Sequence, residues 1–383
     1  MTSRSSSPSE ISLTYDAVGV NSAGEENALK QLSKWITQTF HFNQAKPLLP
    51  LGFFANVLQL STDMGLAIST DGVGTKLLVA QALRRYDTVG VDCIAMNVND
   101  VLCVGATPVS MVDYIAVAEM NPDVLGEIAQ GLHDGARLAR INIPGGEIAQ
   151  IREMLRESSG HNYSFDLVGT CIGLVHPQRL IVGQNIEPAD LVIGIESSGI
   201  HSNGFTLARR ALGLDEDTDS RLLQYSNELG GTLGDELLVP TAIYVPEVLA
   251  MLEAELRIKA LIHITGDGLL NLQRVASETG YVIENPLPPQ PIFSIIQERG
   301  NVHKAEMFRV FNMGTGFCVI TAPADASRVE QIGREFNRRT SVIGYTVRDP
   351  GRRIWLPSHG LVGSKGTFRT TSDRPPAYPA ELH

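Results

Sequence analysis

Short apolar runs recur along the chain. Each ends at glycine with polar neighbours, and an amphipathic stretch follows. That rhythm predicts strand, glycine turn and helix in succession. Residues 65–68 read as a buried strand and residues 77–85 as a helix. Between them lies Ser69-Thr70-Asp71-Gly72-Val73-Gly74-Thr75-Lys76. Residues 89–105 read as a second helix, 108–119 as a strand, 122–140 as a helix and 165–176 as a two-sided apolar strand. The pattern restarts with a strand at 190–196, the turn 197–205 and a helix at 206–212. It continues with helices at 243–256, 269–279, 292–299, 303–311 and 324–337, and strands at 262–264, 314–320 and 341–347. A helix over 25–40 is expected to bury Leu29, Leu32, Trp35 and Ile36 on one face. The expected class is α/β in the mixed α+β sense, in two domains at about 13–176 and 177–356. A disordered stretch at 1–12 and a flexible tail at 357–383 are expected to flank them.

The turn at 69–76 carries candidate chemistry. Glycine lets backbone N–H groups approach an anion closely, and a helix start adds the positive end of its dipole. Thr75 and Lys76 suit phosphate oxygens, and Asp71 suits a divalent cation held against them. The spacing is not that of a P-loop, whose glycines lie further apart. A plain strand-to-helix connection with a surface lysine is the competing reading. The next helix carries Asp92, Asn97, Asn99 and Asp100 among apolar residues, which is costly unless each is paired. They either face solvent and cap a neighbour, or Asp100 joins Asp71 at a metal. Asp113 sits inside an apolar strand. Gly145-Gly146-Glu147 suggests close backbone approach to a ligand, with Glu147 as a third metal ligand or an ordinary loop acid. Gly199-Ile200-His201-Ser202-Asn203-Gly204 crowds polar groups at a strand end, where N–H groups and His201 suit phosphate.

Composition narrows the classes. The chain has 383 residues and a net charge of −11, which argues against nucleic acid and anionic membranes as partners. No apolar run is long enough to span a bilayer, and the Ser-rich start lacks a secretory core, so cytoplasm is the expected compartment. Cys93, Cys103, Cys171 and Cys318 show no zinc spacing and read as reduced core residues.

Taken in order, these segments resemble the aminoimidazole ribonucleotide synthetase (phosphoribosylformylglycinamidine cyclo-ligase) family, from about Leu13 to Tyr345. The likeness rests on Tyr15-Asp16-Ala17, Thr70 to Lys76, Asp92 to Asp100, Asp113-Tyr114, Gly145-Gly146-Glu147, Gly199 to Gly204, Pro240-Thr241, Ile264-Thr265-Gly266 and Gly300 to Gly316. It implies a homodimer joined through the sheets of its N-terminal domains, with ATP and Mg²⁺ as cofactors. The reaction implied is phosphorylation of the amide oxygen of formylglycinamidine ribonucleotide. An internal nitrogen then displaces phosphate and closes the imidazole ring. The resemblance assigns catalysis to Asp71, Lys76, Asp100 and His201, and metal binding to Asp71, Asp100 and Glu147. Gly72, Gly74, Thr75, Asn99, Asp113, Gly145, Gly146, Ser202, Asn203 and Gly204 are assigned to nucleotide and substrate. Three segments depart from the family pattern. Ile148 to Glu153 replaces Thr-Ala-Glu-Met-Pro-Gly, Leu51-Gly52-Phe53-Phe54 replaces Gly-Gly-Phe-Gly, and Asp267 replaces a glycine. These keep two alternatives open: a paralogue phosphorylating another substrate, and a nucleotide-binding module without turnover.

Overall fold

The computed structural model describes residues 12–20, 22–155, 163–215 and 218–379. The expected disorder at 1–12 falls almost wholly outside them. Among the described residues the strands form one sheet of five and one of eight, besides a small two-stranded ribbon.

The first sheet has the order β1-β2-β5-β3-β4. Its strands are β1 (Asn56–Gln59), β2 (Gly65–Gly72), β3 (Thr107–Val117), β4 (Gly146–Gln150) and β5 (Phe165–Val175). Pairing is antiparallel except between β3 and β4. Alternation along the strands buries Ala67, Ser69, Met111, Ile115, Leu167 and Cys171 on one face. Helices α3 (Val89–Leu102) and α4 (Pro122–Ala139) belong to this domain, α3 lying against β2 and β5 and packing on α4. Gly90 and Gly131 allow the close crossing, since a Cβ on Gly90 would stand 2.2 Å from the Leu132 nitrogen. Helices α1 (Ser22–Ile36) and α2 (Leu77–Leu83) precede them. The apolar stripe of α1 is not buried as expected: Leu29, Leu32, Trp35 and Ile36 are all exposed, because no element among the described residues covers that face.

The second domain supplies the larger sheet, in the order β15-β14-β13-β10-β12-β6-β11-β9. Its central strands are β6 (Leu191–Glu196), β9 (Ile258–His263), β10 (Thr279–Ile283), β11 (Thr315–Thr321) and β12 (Thr340–Arg348), after the ribbon strands β7 (Tyr225–Ser226) and β8 (Gly231–Thr232). Helices α5 (Phe205–Ala211), α6 (Thr218–Leu222), α7 (Leu233–Leu237), α8 (Val245–Glu253), α9 (Pro291–Arg299), α10 (Lys304–Val310) and α11 (Ala326–Glu335) complete it. Two expectations fail here. The helix expected over 269–279 is a 3-10 run, Gly268–Arg274, followed by β10, whose Tyr281, Val282 and Ile283 favour a strand. The tail from residue 357, expected to be flexible, instead adds β14 (Leu361–Ser364) and β15 (Thr367–Thr370) to the sheet beside β13 (Ile354–Leu356). A two-residue turn closes its hairpin, with Lys365 and Gly366 both at positive φ, and Trp355, Val362 and Phe368 are buried. All four cysteines are free and buried, and no helix among the described residues is long and apolar enough to cross a membrane.

Candidate active site

Helix α3 is the axis of the site. Asp92, Asn97 and Asn99 are fully buried and Asp100 is nearly so, and each has found a partner. Asn97 locks the end of β2: its Oδ1 accepts from the Asp71 nitrogen at 3.0 Å, and its Nδ2 donates to the Asp71 carbonyl at 3.1 Å. Asn99 ties the domains together, donating to the Ala242 carbonyl at 2.9 Å and accepting from the Tyr244 nitrogen at 3.0 Å. Both ends of that amide are engaged, so the nucleotide contact expected of Asn99 gives way to an interdomain tie. Asp100 meets His263 from the end of β9, with Nδ1 and Oδ1 2.9 Å apart. His263 was not a sequence candidate. Its own strand reads as ordinary core, and only the packing of β9 on α3 reveals it.

Asp71 follows from the same packing. Its Oδ1 accepts from the Gly72 nitrogen at 2.7 Å. Burial first, and then the adjoining Asp100 charge, push its carboxyl up to about 6, against the lowering influence of Gly72, His263 and Arg274. No basic side chain forms an ion pair with Asp71 among the described residues. Two neighbouring carboxylates, neither paired with a lysine or arginine among the described residues, would suit a divalent ion. Magnesium commonly takes only one or two protein carboxylates. The described residues hold no group of three His, Cys, Asp or Glu able to bind a metal unaided.

Glu147 does not complete such a triad. The register aligns Gly72, Val168, Tyr114 and Glu147 in one row, and Asp71, Gly169, Asp113 and Gly146 in the next. Glu147 is therefore three strand spacings from β2, roughly 14 Å, and on the opposite face from Asp71. The double glycine also has an internal cause. A Cβ on Gly146 would lie 2.4 Å from Asp113 Oδ1, so the close approach there is to Asp113. Gly145 meets nothing within 4 Å. Asp113 itself lines a separate cavity of about 470 Å³ with Leu132, His133, Arg137 and Ile143, where burial raises its carboxyl pKa.

Around the opening turn, Gly74 sits at φ 72° with open space beside it. Thr75 Oγ1 is 3.1 Å from Thr206 Oγ1 of the second domain. Lys76 corrects the sequence reading most sharply. It is fully buried, with Nζ 2.8 Å from Asp92 Oδ2, and it is not presented to a ligand. Arg274 is a cation the sequence reading passed over. It stacks 4.3 Å over the Phe54 ring and donates weakly to the Gly52 and Phe53 carbonyls, without a carboxylate partner among the described residues.

The 199–204 turn bends through Gly199, His201 and Gly204, all at positive φ. His201 accepts from the Ser198 nitrogen through Nε2 at 3.2 Å, which places the ring proton on Nδ1, an atom without a partner. Burial, with nearby cationic groups, holds its pKa well below the usual histidine value, so the ring is neutral. Asn203 Nδ2 reaches the sulfur of Met96 at 3.9 Å. Met96 and Asp100 are four residues apart on α3 and share a face. The turn thus stands on the helix that carries Asp100. On Gly204 a Cβ would meet the Phe311 ring at 2.3 Å, which requires glycine there.

Residues 54–175 match the N-terminal domain of AIR synthase related protein, and residues 187–356 match its C-terminal domain. The chain belongs to this family. A curated phosphoribosylformylglycinamidine cyclo-ligase of Methanothermobacter thermautotrophicus is 44% identical over 347 residues, covering 90% of this chain and 97% of that protein. The enzyme of the same name from Thermococcus kodakarensis is 45% identical over 350 residues, covering 89% and 98%. Among solved structures, a thiamine-monophosphate kinase from Stenotrophomonas maltophilia shares the fold at TM-score 0.56 and 17% identity, covering 86% of this chain and 96% of that one. The ADP complex of a Thermotoga maritima PurL matches at TM-score 0.54 and 15% identity, covering 91% and 52%.

Proposed function

We propose that the chain is a phosphoribosylformylglycinamidine cyclo-ligase. It would turn formylglycinamidine ribonucleotide and ATP into aminoimidazole ribonucleotide, ADP and phosphate. The observation that carries this reading is the 41–45% identity to curated cyclo-ligases along nearly their whole length. The geometry agrees with it. Activating an amide oxygen by phosphorylation asks for positioning and charge neutralisation, with no covalent protein intermediate.

In this reading Asp71 and Asp100 would hold Mg²⁺, which would supply charge neutralisation for phosphoryl transfer. The turn at Gly74, with Thr75, would lie beside the phosphate chain, and Arg274 would reach it from the second domain. His263 fixes the Asp100 carboxylate. Neutral His201 offers its Nδ1–H to an acceptor, and Asn203 faces the acceptor substrate. Lys76, Asn99 and Glu147 have no ligand contact in this assignment. The divergent segment 148–153 begins on edge strand β4, away from the carboxylate pair, so it leaves the phosphoryl-transfer centre intact.

A homodimer is part of the proposal. The face of the first sheet opposite its helices leaves Val112, Tyr114 and Leu174 more than 40% exposed. A second copy laid on that face would cover this apolar surface. Cytoplasm is the setting in which such a nucleotide-dependent reaction belongs. The test is direct: purified protein with ATP, Mg²⁺ and formylglycinamidine ribonucleotide is expected to yield aminoimidazole ribonucleotide and ADP in equal amounts. ADP release without the imidazole product would transfer the reading to a different acceptor.

A further inference from the structure

Lys76 and Asp92 begin a buried chain of hydrogen bonds that ends at Ser202. Lys76 Nζ contacts Asp92 Oδ1 at 2.9 Å, the Val239 carbonyl at 2.7 Å and the His201 carbonyl at 3.3 Å. An ammonium has three protons, and these acceptors use them all. The Phe205 ring closes the remaining side, 5.7 Å away. Asp92 Oδ1 in turn accepts from both the nitrogen and the Oγ1 of Thr241, each at 2.7 Å. Thr241 Oγ1 then lies 2.9 Å from Ser202 Oγ.

The direction of the last bond follows from proton count. An ion-paired carboxylate only accepts, so Thr241 spends its single hydroxyl proton on Asp92. What remains on Thr241 Oγ1 is a lone pair, and Ser202 must donate to it. Ser202 Oγ is thereby left with lone pairs alone for anything else it meets. A phosphate oxygen brought there would face lone pair against lone pair, whereas an N–H group would be accepted.

We infer that the Lys76–Asp92–Thr241 chain makes Ser202 an obligate hydrogen-bond acceptor, so that the 199–204 turn takes an N–H of an amidine or amide substrate at this point and not a phosphate oxygen. Lys76, Asp92 and Thr241 are positioning residues in this scheme. They lie behind Ser202 and touch no ligand. The chain also crosses between the domains: the donor and carboxylate belong to the first, and Thr241, Ser202 and the two carbonyls to the second. The chemistry of one side of the site is therefore set by a residue inside the motif that opens the other.

The inference rests on the cyclo-ligase reading for its substrate, and binding separates the two. Calorimetry with formylglycinamidine ribonucleotide measures affinity without turnover. Thr241→Val removes the relay hydroxyl and frees the Ser202 proton, while Thr241→Ser keeps the hydroxyl. Thr241→Val is expected to weaken substrate binding at least about tenfold and to leave ATP affinity within about twofold, with Thr241→Ser close to wild type. A matching rise in substrate KM with little change in kcat is expected in the product assay. Equal losses in both variants, a loss confined to ATP, unchanged binding in Thr241→Val, or no binding by the wild type would each overturn the relay. Substrate binding that follows the expected order without any imidazole product would overturn the activity and uphold the relay. The melting temperatures of the variants show whether each is folded.

Discussion

Two charged pairs flank one short turn, and they have opposite characters. At its far end Lys76 meets Asp92, cation against anion, sealed from solvent, with the ammonium and Asp92 Oδ1 hydrogen-bonded to protein atoms. At its near end Asp71 meets Asp100, anion against anion, with the Asp71 carboxyl pushed up to about 6 and left without an ion-pair partner among the described residues. The first pair has satisfied itself with protein atoms and so is part of the frame. The second is strained by burial first and then by like charge, both of which a bound cation would offset. Buried polarity alone does not distinguish structure from function here. Whether the protein supplies the compensating charge does.

The comparison breaks most readily at Asp71 and Asp100. Replacing either by Asn is expected to lower kcat by about 10³-fold, the scale for losing a group that stabilises transferred charge, with the fold retained. Initial rates and circular dichroism on the same preparations check this. A loss below tenfold would remove the carboxylate from the phosphoryl-transfer centre. At the other pair, Lys76→Met leaves a buried carboxylate alone and is expected to cost about 3–5 kcal/mol of stability. Lys76→Met/Asp92→Asn should recover most of it in urea unfolding, since no buried charge remains. If the single variant is as stable as wild type, Lys76 is not the strut its surroundings describe.

A pH series sharpens the contrast. The raised pKa of Asp71 means that the folded protein binds a proton there more readily than the unfolded chain, whose carboxyl titrates near 4. Its contribution to stability is therefore most favourable below pH 4 and is lost as pH climbs to about 6. Asp71→Asn lacks that loss. The unfolding free energy of Asp71→Asn relative to wild type, read by urea unfolding, should rise between pH 4 and 6 and then level, by no more than about 2 kcal/mol, given that the carboxyl keeps some contact with water. Saturating Mg²⁺ and nucleotide should stabilise the wild type and not the variant. A flat difference across the series would mean that neither burial nor the Asp100 charge raises the Asp71 carboxyl. The smallest effect is expected for Glu147→Gln. From the opposite face of the sheet it should leave kcat/KM within about twofold of wild type. A large loss would bring Glu147 back to the phosphates.

Much of this was legible along the chain. The strand ending at Asp71, the polar helix and the turn at His201 follow from periodicity and glycine placement, and their elements lie where expected. The order of the motifs identified the family. Other features were hidden for specific reasons. The β10 strand begins in Thr279 and Gly280, whose approach from the 3-10 run looked like a helix continuing. The edge strand β4 starts in a double glycine that reads as a loop. His263 sits in an apolar strand and looks like core until α3 brings Asp100 beside it.

By itself, then, the sequence determined the elements, the two-domain order and the presence of carboxylates, glycines and a histidine at strand ends. Those properties depend on neighbours a few residues away. Only the tertiary structure decided what each polar group faces. A lysine after Gly-Thr has the same local pattern whether it reaches solvent, phosphate or an aspartate. Its ammonium takes the acceptors the second domain brings within hydrogen-bond reach, at 2.7 and 3.3 Å, and those come from residues more than 100 positions away. The same packing that closed over Lys76 left Asp71 and Asp100 facing each other.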